Sequence, residues 1–84
     1  MTFEEAVELA REIAAAGHTV CTVSCLYGGD GRVGVAWSVG FRPHPDARGM
    51  QVASSRQEWA YWQSERGQAR MRATLPETAR GAKD

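Results

Sequence analysis

Residues 32–42 read Arg-Val-Gly-Val-Ala-Trp-Ser-Val-Gly-Phe-Arg, with Val33, Val35, Trp37, Val39 and Phe41 at odd positions and Gly34, Ala36, Ser38 and Gly40 at even ones. Such strict alternation is the signature of a strand with one apolar face. A chain built on it needs a sheet, and something to cover the odd side of that sheet. The rest of the sequence supplies both.

Thr2 to Ala16 has helical spacing. Thr2 with Glu5 three residues on forms a capping box, Glu4, Glu5 and Glu8 suit the positive end of the helix dipole, and Gly17 marks the stop. Phe3, Val7, Ala10, Ile13 and Ala14 define its expected inward stripe. Thr19–Tyr27 is the next strand, with Cys21, Val23, Cys25 and Tyr27 expected inward. Gly28-Gly29-Asp30-Gly31 is a hairpin turn leading back into the central strand. Pro43-His44-Pro45-Asp46-Ala47-Arg48-Gly49 is a loop, and Met50–Ala53 a short third strand with Met50 and Val52 expected inward.

A second helix opens at Ser54-Ser55, where Ser55 and Glu58 again spell a capping box. Trp59, Trp62 and Ala69 form its apolar face, flanked by Ala60 and Tyr61. Gly67 costs about 1 kcal/mol relative to Ala inside a helix, so a kink is expected in its last turns. The expected fold is therefore α+β: a three-stranded antiparallel sheet with two helices on one face, in the order α-β-β-β-α. Residues 1–72 make the domain and residues 73–84 a flexible C-terminal tail. The expected core is Phe3, Val7, Ala10, Ile13, Cys21, Val23, Cys25, Val33, Val35, Trp37, Val39, Phe41, Met50, Val52, Trp59 and Trp62. A core of this size supports only a few kcal/mol, and a second copy of the chain would add to it.

Composition narrows the function classes. Over 84 residues the chain is 43% hydrophobic and 24% charged, unlike either a disordered acidic segment or a membrane protein. No apolar run approaches the ~18 residues of a membrane span, and the N-terminal segment reads as a charged helix, not a signal peptide; a cytoplasmic protein is expected. Net charge is zero but polarised. Residues 1–31 carry Glu4, Glu5, Glu8, Glu12 and Asp30 against Arg11. Residues 32–72 carry Arg32, Arg42, Arg48, Arg56, Arg66, Arg70 and Arg72 against Asp46, Glu58 and Glu65.

Catalytic and metal-binding patterns are absent from the sequence. On one strand Cys21 and Cys25 would stand about 13 Å apart, well beyond disulfide reach, so they read as core residues, with an intermolecular bridge as the remaining alternative. His18 follows a helix stop, where it would satisfy helix-end carbonyls, and His44 lies between prolines; neither has a partner at catalytic or ligand spacing. A strand, not a helix, follows the glycine-rich turn, which excludes a phosphate cradle. No enzyme chemistry, metal or cofactor is expected.

Three surfaces stand out. Glu4, Glu8 and Glu12 form an i, i+4, i+8 row about 6 Å apart, with Glu5 beside it, a spacing that suits a groove built for phosphates. Arg56, Arg66, Arg70 and Arg72 would cluster along the second helix, where they could meet phosphate or an acidic partner. Thr22, Ser24, Gly34, Ala36, Ser38 and Gly40 would leave the even face of the sheet flat, beside a first strand with no Lys, Pro or bulge to protect its edge. Homodimerisation is expected from that edge.

The α-β-β-β-α order resembles the double-stranded-RNA-binding domain over about residues 2–72. Ser54-Ser55-Arg56-Gln57-Glu58 stands where that family has a Lys-rich helix start, and Gly28-Gly29-Asp30-Gly31 where it has a His-bearing hairpin loop. Small toxin endoribonucleases share the build, but their Gly-Ser-His strand motif has no counterpart here. In size, compactness and charge polarity the chain is also similar in type to small phage-encoded inhibitors of CRISPR–Cas complexes. That resemblance implies a non-enzymatic inhibitor or adaptor that binds another protein through Glu4, Glu5, Glu8 and Glu12 and blocks its nucleic-acid surface. The alternative is a nucleic-acid-binding protein acting through Arg56, Arg66, Arg70 and Arg72.

Overall fold

The computed structural model describes residues 1–25 and 36–77. It comprises α1 (Phe3–Ala15), β1 (Thr19–Cys25), β2 (Trp37–Arg42), β3 (Gln51–Ala53), α2 (Arg56–Gln63) and α3 (Glu65–Arg72). The strands form one antiparallel sheet in the order β1-β2-β3, and the fold is α+β in the order α-β-β-β-α, with the last helical region divided in two. The glycine-rich turn, Val33, Gly34 and Val35 lie outside the described residues.

Local sequence sets the helix ends. Thr2 Oγ1 accepts from the Glu5 amide at 3.2 Å, while the Glu5 carboxylate accepts from the Thr2 amide at 2.8 Å, completing the expected capping box. At the other end Gly17 takes φ 97°, and the amides of Gly17 and His18 reach the carbonyls of Ala14 and Ile13. This is the paired hydrogen bonding that satisfies the last helical carbonyls, and the left-handed residue it needs is most easily glycine.

The core collects Ala6, Leu9 and Ile13 of α1, Val39 and Phe41 of β2, Ala53 of β3, Trp59 of α2 and Met71 of α3. Phe41 is fully buried, with the Trp59 and Trp62 rings edge-on at 5.6 and 6.3 Å. The odd face of β2 thus supplies the core through Val39 and Phe41, as the alternation requires, although Ser38 and Gly40 on the even face are also buried.

Four expectations are corrected. First, α1 is rolled by about 90° from the expected stripe, at 100° per residue: Ala6, Leu9 and Ile13 point in, while Phe3 is 50% exposed and Ala14 is exposed. Second, β1 is bulged. Val20 pairs with Phe41 and Thr22 with Gly40, so Cys21 is the extra residue; it is exposed, and Val20 takes its place against the core. After the bulge Val23 and Cys25 face inward opposite Val39 and Trp37.

Third, β3 has the opposite facing to the one expected. Gln51 pairs with Phe41 and Ala53 with Val39, so both are buried, whereas Met50 and Val52 are 43% and 44% exposed. Fourth, the second helix is interrupted at Ser64, which has ψ 166° and caps α3 through its hydroxyl and the Gly67 amide at 3.2 Å. Gly67 and Met71, not Ala69, face inward. The break brings α3 so close to α2 that a Cβ on Gly67 would overlap the Tyr61 carbonyl oxygen.

Of the residues expected in a tail, 73–77 are described. Ala73 and Thr74 turn back toward the proline loop, where the Arg48 amide donates to the Thr74 carbonyl at 2.8 Å and its guanidinium reaches the Ala73 carbonyl at 3.5 Å.

Candidate functional site

The acidic row on α1 is divided by its surroundings. Glu5 is held by the capping box, and its hydrogen bonds from Thr2 lower its pKa below the ordinary carboxylate value. Glu12 meets the Arg56 guanidinium at 2.7 Å, and that contact lowers the pKa of Glu12 and raises that of Arg56. Arg56 also lies in the field of Glu8 and Glu5. Glu4 and Glu8 remain on the surface beside Phe3, Val7 and Arg11, around a shallow depression of about 250 Å³.

The arginines do not form the single cluster that the sequence suggests. Arg56 is committed to Glu12 across the α1–α2 junction. Arg66 and Arg70, four residues apart, share one flank of α3, and Arg70 reaches α2 from it; Arg72 is about 200° round the helix from Arg70 and faces another way.

Arg70 instead builds a small site with α2. Its guanidinium carbon lies 5.1 Å from the Trp62 ring centroid and 5.8 Å from that of Tyr61, and Nη1 donates to the Tyr61 hydroxyl at 3.0 Å. The Trp62 indole N–H donates to the Val52 carbonyl at 3.2 Å, sealing an outward-pointing group of the edge strand β3. Ser55 is the N-cap of α2 as expected, its hydroxyl accepting from the Glu58 amide at 3.2 Å; the Glu58 carboxylate accepts from the Ser54 amide at 2.6 Å in place of the Ser55 amide that a full capping box would use. Together Val52, Ser55, Gln57, Glu58, Tyr61, Trp62 and Arg70 line an open groove of about 410 Å³.

Trp62, Tyr61, Glu58 and Arg70 of this groove are each held by a hydrogen bond. The Ser64 break turns α3 back so that Arg70 overlies the aromatic pair of α2. The Trp62 and Tyr61 rings and the Tyr61 hydroxyl restrain the guanidinium, leaving its remaining donors available at little further cost in side-chain entropy. Sequence reasoning placed Arg70 among phosphate contacts and Tyr61 at the margin of the helix; it missed their pairing. Nine residues separate the two, and a helix interruption has to be known before they can be brought together.

The even face of the sheet is not the flat platform expected. The Met50 side chain lies across Gly40 beside Thr22, and Ser38 and Gly40 are buried. Met50 fills the space that glycine leaves. Nor is β1 a plain edge, since the bulge at Cys21 interrupts it.

His18 does not cap the helix with its ring. The imidazole packs against Phe41 and Trp59 at 5.5 and 5.6 Å, its Nδ1 is buried without a hydrogen-bond partner, and burial lowers its pKa. The His44 Nδ1 accepts from the Asp46 amide at 3.0 Å, a local turn contact. Among the described residues no three His, Cys, Asp or Glu side chains converge on a metal position, and no helix is long and apolar enough to cross a membrane.

No family model, curated protein or solved structure matches the chain.

Proposed function

We propose that this chain is a non-enzymatic protein-binding module, an inhibitor or adaptor acting in the cytoplasm, which engages its partner at the Tyr61–Trp62–Arg70 groove. The observation that carries this reading is the restrained guanidinium over two half-buried aromatic rings beside exposed Val52. Tyr, Trp and Arg are the side chains that most often dominate protein interfaces, and an anchor already ordered in the free protein loses little freedom on binding. A partner carboxylate beside an apolar side chain fits best: the carboxylate accepts from Arg70 and the apolar group covers Val52 and the ring edges. Nucleic acid fits less well, because Arg70 occupies one face of Trp62 and closes it to a stacking base.

The acidic-row form of the same reading has the chain inhibit a CRISPR–Cas complex by occupying its basic nucleic-acid surface. Glu4 and Glu8 would carry that contact, with Glu5 and Glu12 engaged inside the chain.

The discriminating experiment places a photo-crosslinking residue at Gln57, on the groove's rim, and irradiates the protein in a lysate of its source organism. A protein adduct that disappears on Arg70→Glu and persists on Glu8→Lys supports the groove. An adduct lost only on Glu8→Lys supports the acidic row. A gel shift that falls steeply with salt supports the nucleic-acid alternative instead.

A further inference from the structure

A second surface, on the far side of α1 from Arg56, has a different character. The roll of α1 leaves Phe3, Val7, Ala10 and Ala14 outside the buried Ala6–Leu9–Ile13 stripe; Phe3 is half exposed with one edge of its ring against Trp37 at 4.9 Å, Ala14 is exposed, Val7 is half-buried, and Ala10 is half-buried against the margin of the core. Their spacing of four, three and four residues is that of an apolar seam by which helices pair. Glu5 and Glu12 lie on the flank facing α2, so the seam faces the opposite way, over β1. There lies β1, an edge strand interrupted by the bulge at Cys21, whose sequence Thr-Val-Cys-Thr-Val-Ser-Cys carries no charged side chain.

We infer that this seam is the contact surface for a second copy of the chain, with the two α1 helices antiparallel about a two-fold axis. The seam is self-complementary only in that sense. Antiparallel pairing sets Phe3 against Ala14 of the other copy and Val7 against Ala10, a large side chain over a small one at every layer. Parallel pairing would oppose Phe3 to Phe3 and Ala14 to Ala14. The charges beside the seam follow the same rule. Glu4 and Arg11 are seven residues apart and occupy equivalent flanking positions, so an antiparallel pair brings Glu4 of each copy to Arg11 of the other, twice. Arg11, an isolated cation on an acidic helix, thereby has a purpose. A pair of 13-residue helices makes a modest interface, so the dimer is concentration-dependent, with β1 extending the contact.

The test is sedimentation equilibrium of the full chain from micromolar to millimolar concentration, with circular dichroism confirming that each variant is folded. The wild type should show a reversible monomer–dimer equilibrium. Phe3→Glu and Arg11→Glu should each weaken association at least tenfold, and Glu4→Arg combined with Arg11→Glu should restore it. A wild type that stays monomeric throughout overturns the inference. So does a dimer indifferent to Phe3→Glu, or a charge exchange that fails to restore association. The variants leave the Tyr61–Trp62–Arg70 groove untouched, so this test stands apart from that of the proposed function.

Discussion

Val20 stands directly opposite Phe41, although parity along β1 would put Cys21 there. The bulge that allows this gives an apolar β-branched side chain to the core and turns a thiol out to solvent. Cys21 should therefore react with a water-soluble maleimide well before Cys25, which mass spectrometry of the partly labelled native protein will show. Val20→Ala should destabilise by about 1–2 kcal/mol while Cys21→Ser stays within about 0.5 kcal/mol.

The α2–α3 junction makes the opposite prediction from helix propensity. Alanine is the better helix former by about 1 kcal/mol, yet Gly67→Ala should destabilise, because the new methyl group would collide with the Tyr61 carbonyl. Ser64→Ala should cost about 0.5–2 kcal/mol through loss of the cap on the Gly67 amide. Denaturant melts of the two variants measure both effects.

The facing of β3 is tested by two substitutions one residue apart. Val52→Lys should be tolerated within about 0.5 kcal/mol, whereas Ala53→Leu should cost about 1–3 kcal/mol by overpacking against Val39 and its neighbours. The reverse result would restore the facing that Met50 and Val52 suggest on hydrophobicity alone.

His18 gives the fold a pH dependence with a defined sign. Its folded pKa lies below the ordinary value of 6.5 because burial disfavours the imidazolium. The unfolded chain therefore takes up a proton more readily, and stability falls as pH drops below about 6.5. Glu5 and Glu12, lowered from 4.5, add a second loss below about that pH as their carboxylates are protonated. Chemical denaturation from pH 7.5 to 3.5 should show the first loss between pH 7.5 and 5.5 and the second below about 4.5, and His18→Gln should abolish the first while leaving the second.

What the sequence made legible was local. Thr2, Glu5 and Gly17 act within a few residues of themselves, and the α1 boundaries follow. The alternation of Trp37, Val39 and Phe41 fixes the buried face of β2 for the same reason. The facing of the other elements depended on competition between patterns that sequence alone ranks equally. In α1 both Phe3–Val7–Ala10–Ala14 and Ala6–Leu9–Ile13 have helical spacing; packing against Val39 and Phe41 selects the second. In β3, three residues are too few for alternation to speak, and contact with Phe41 and Val39 buries Gln51 and Ala53 over more hydrophobic neighbours. The bulge at Cys21 has no marker residue. At the candidate site, Ser64 followed by Glu65 was a readable helix start, but the Gly67 penalty pointed to a later kink and hid the turn that carries Arg70 to Tyr61 and Trp62.

The most direct test of the proposed function is retention of a partner by the immobilised full-length chain, with wild type, Arg70→Glu and Glu8→Lys compared side by side and each shown to be folded. The groove account predicts a protein held by the wild type and by Glu8→Lys, with at least tenfold weaker binding to Arg70→Glu. Undiminished binding to Arg70→Glu would contradict it.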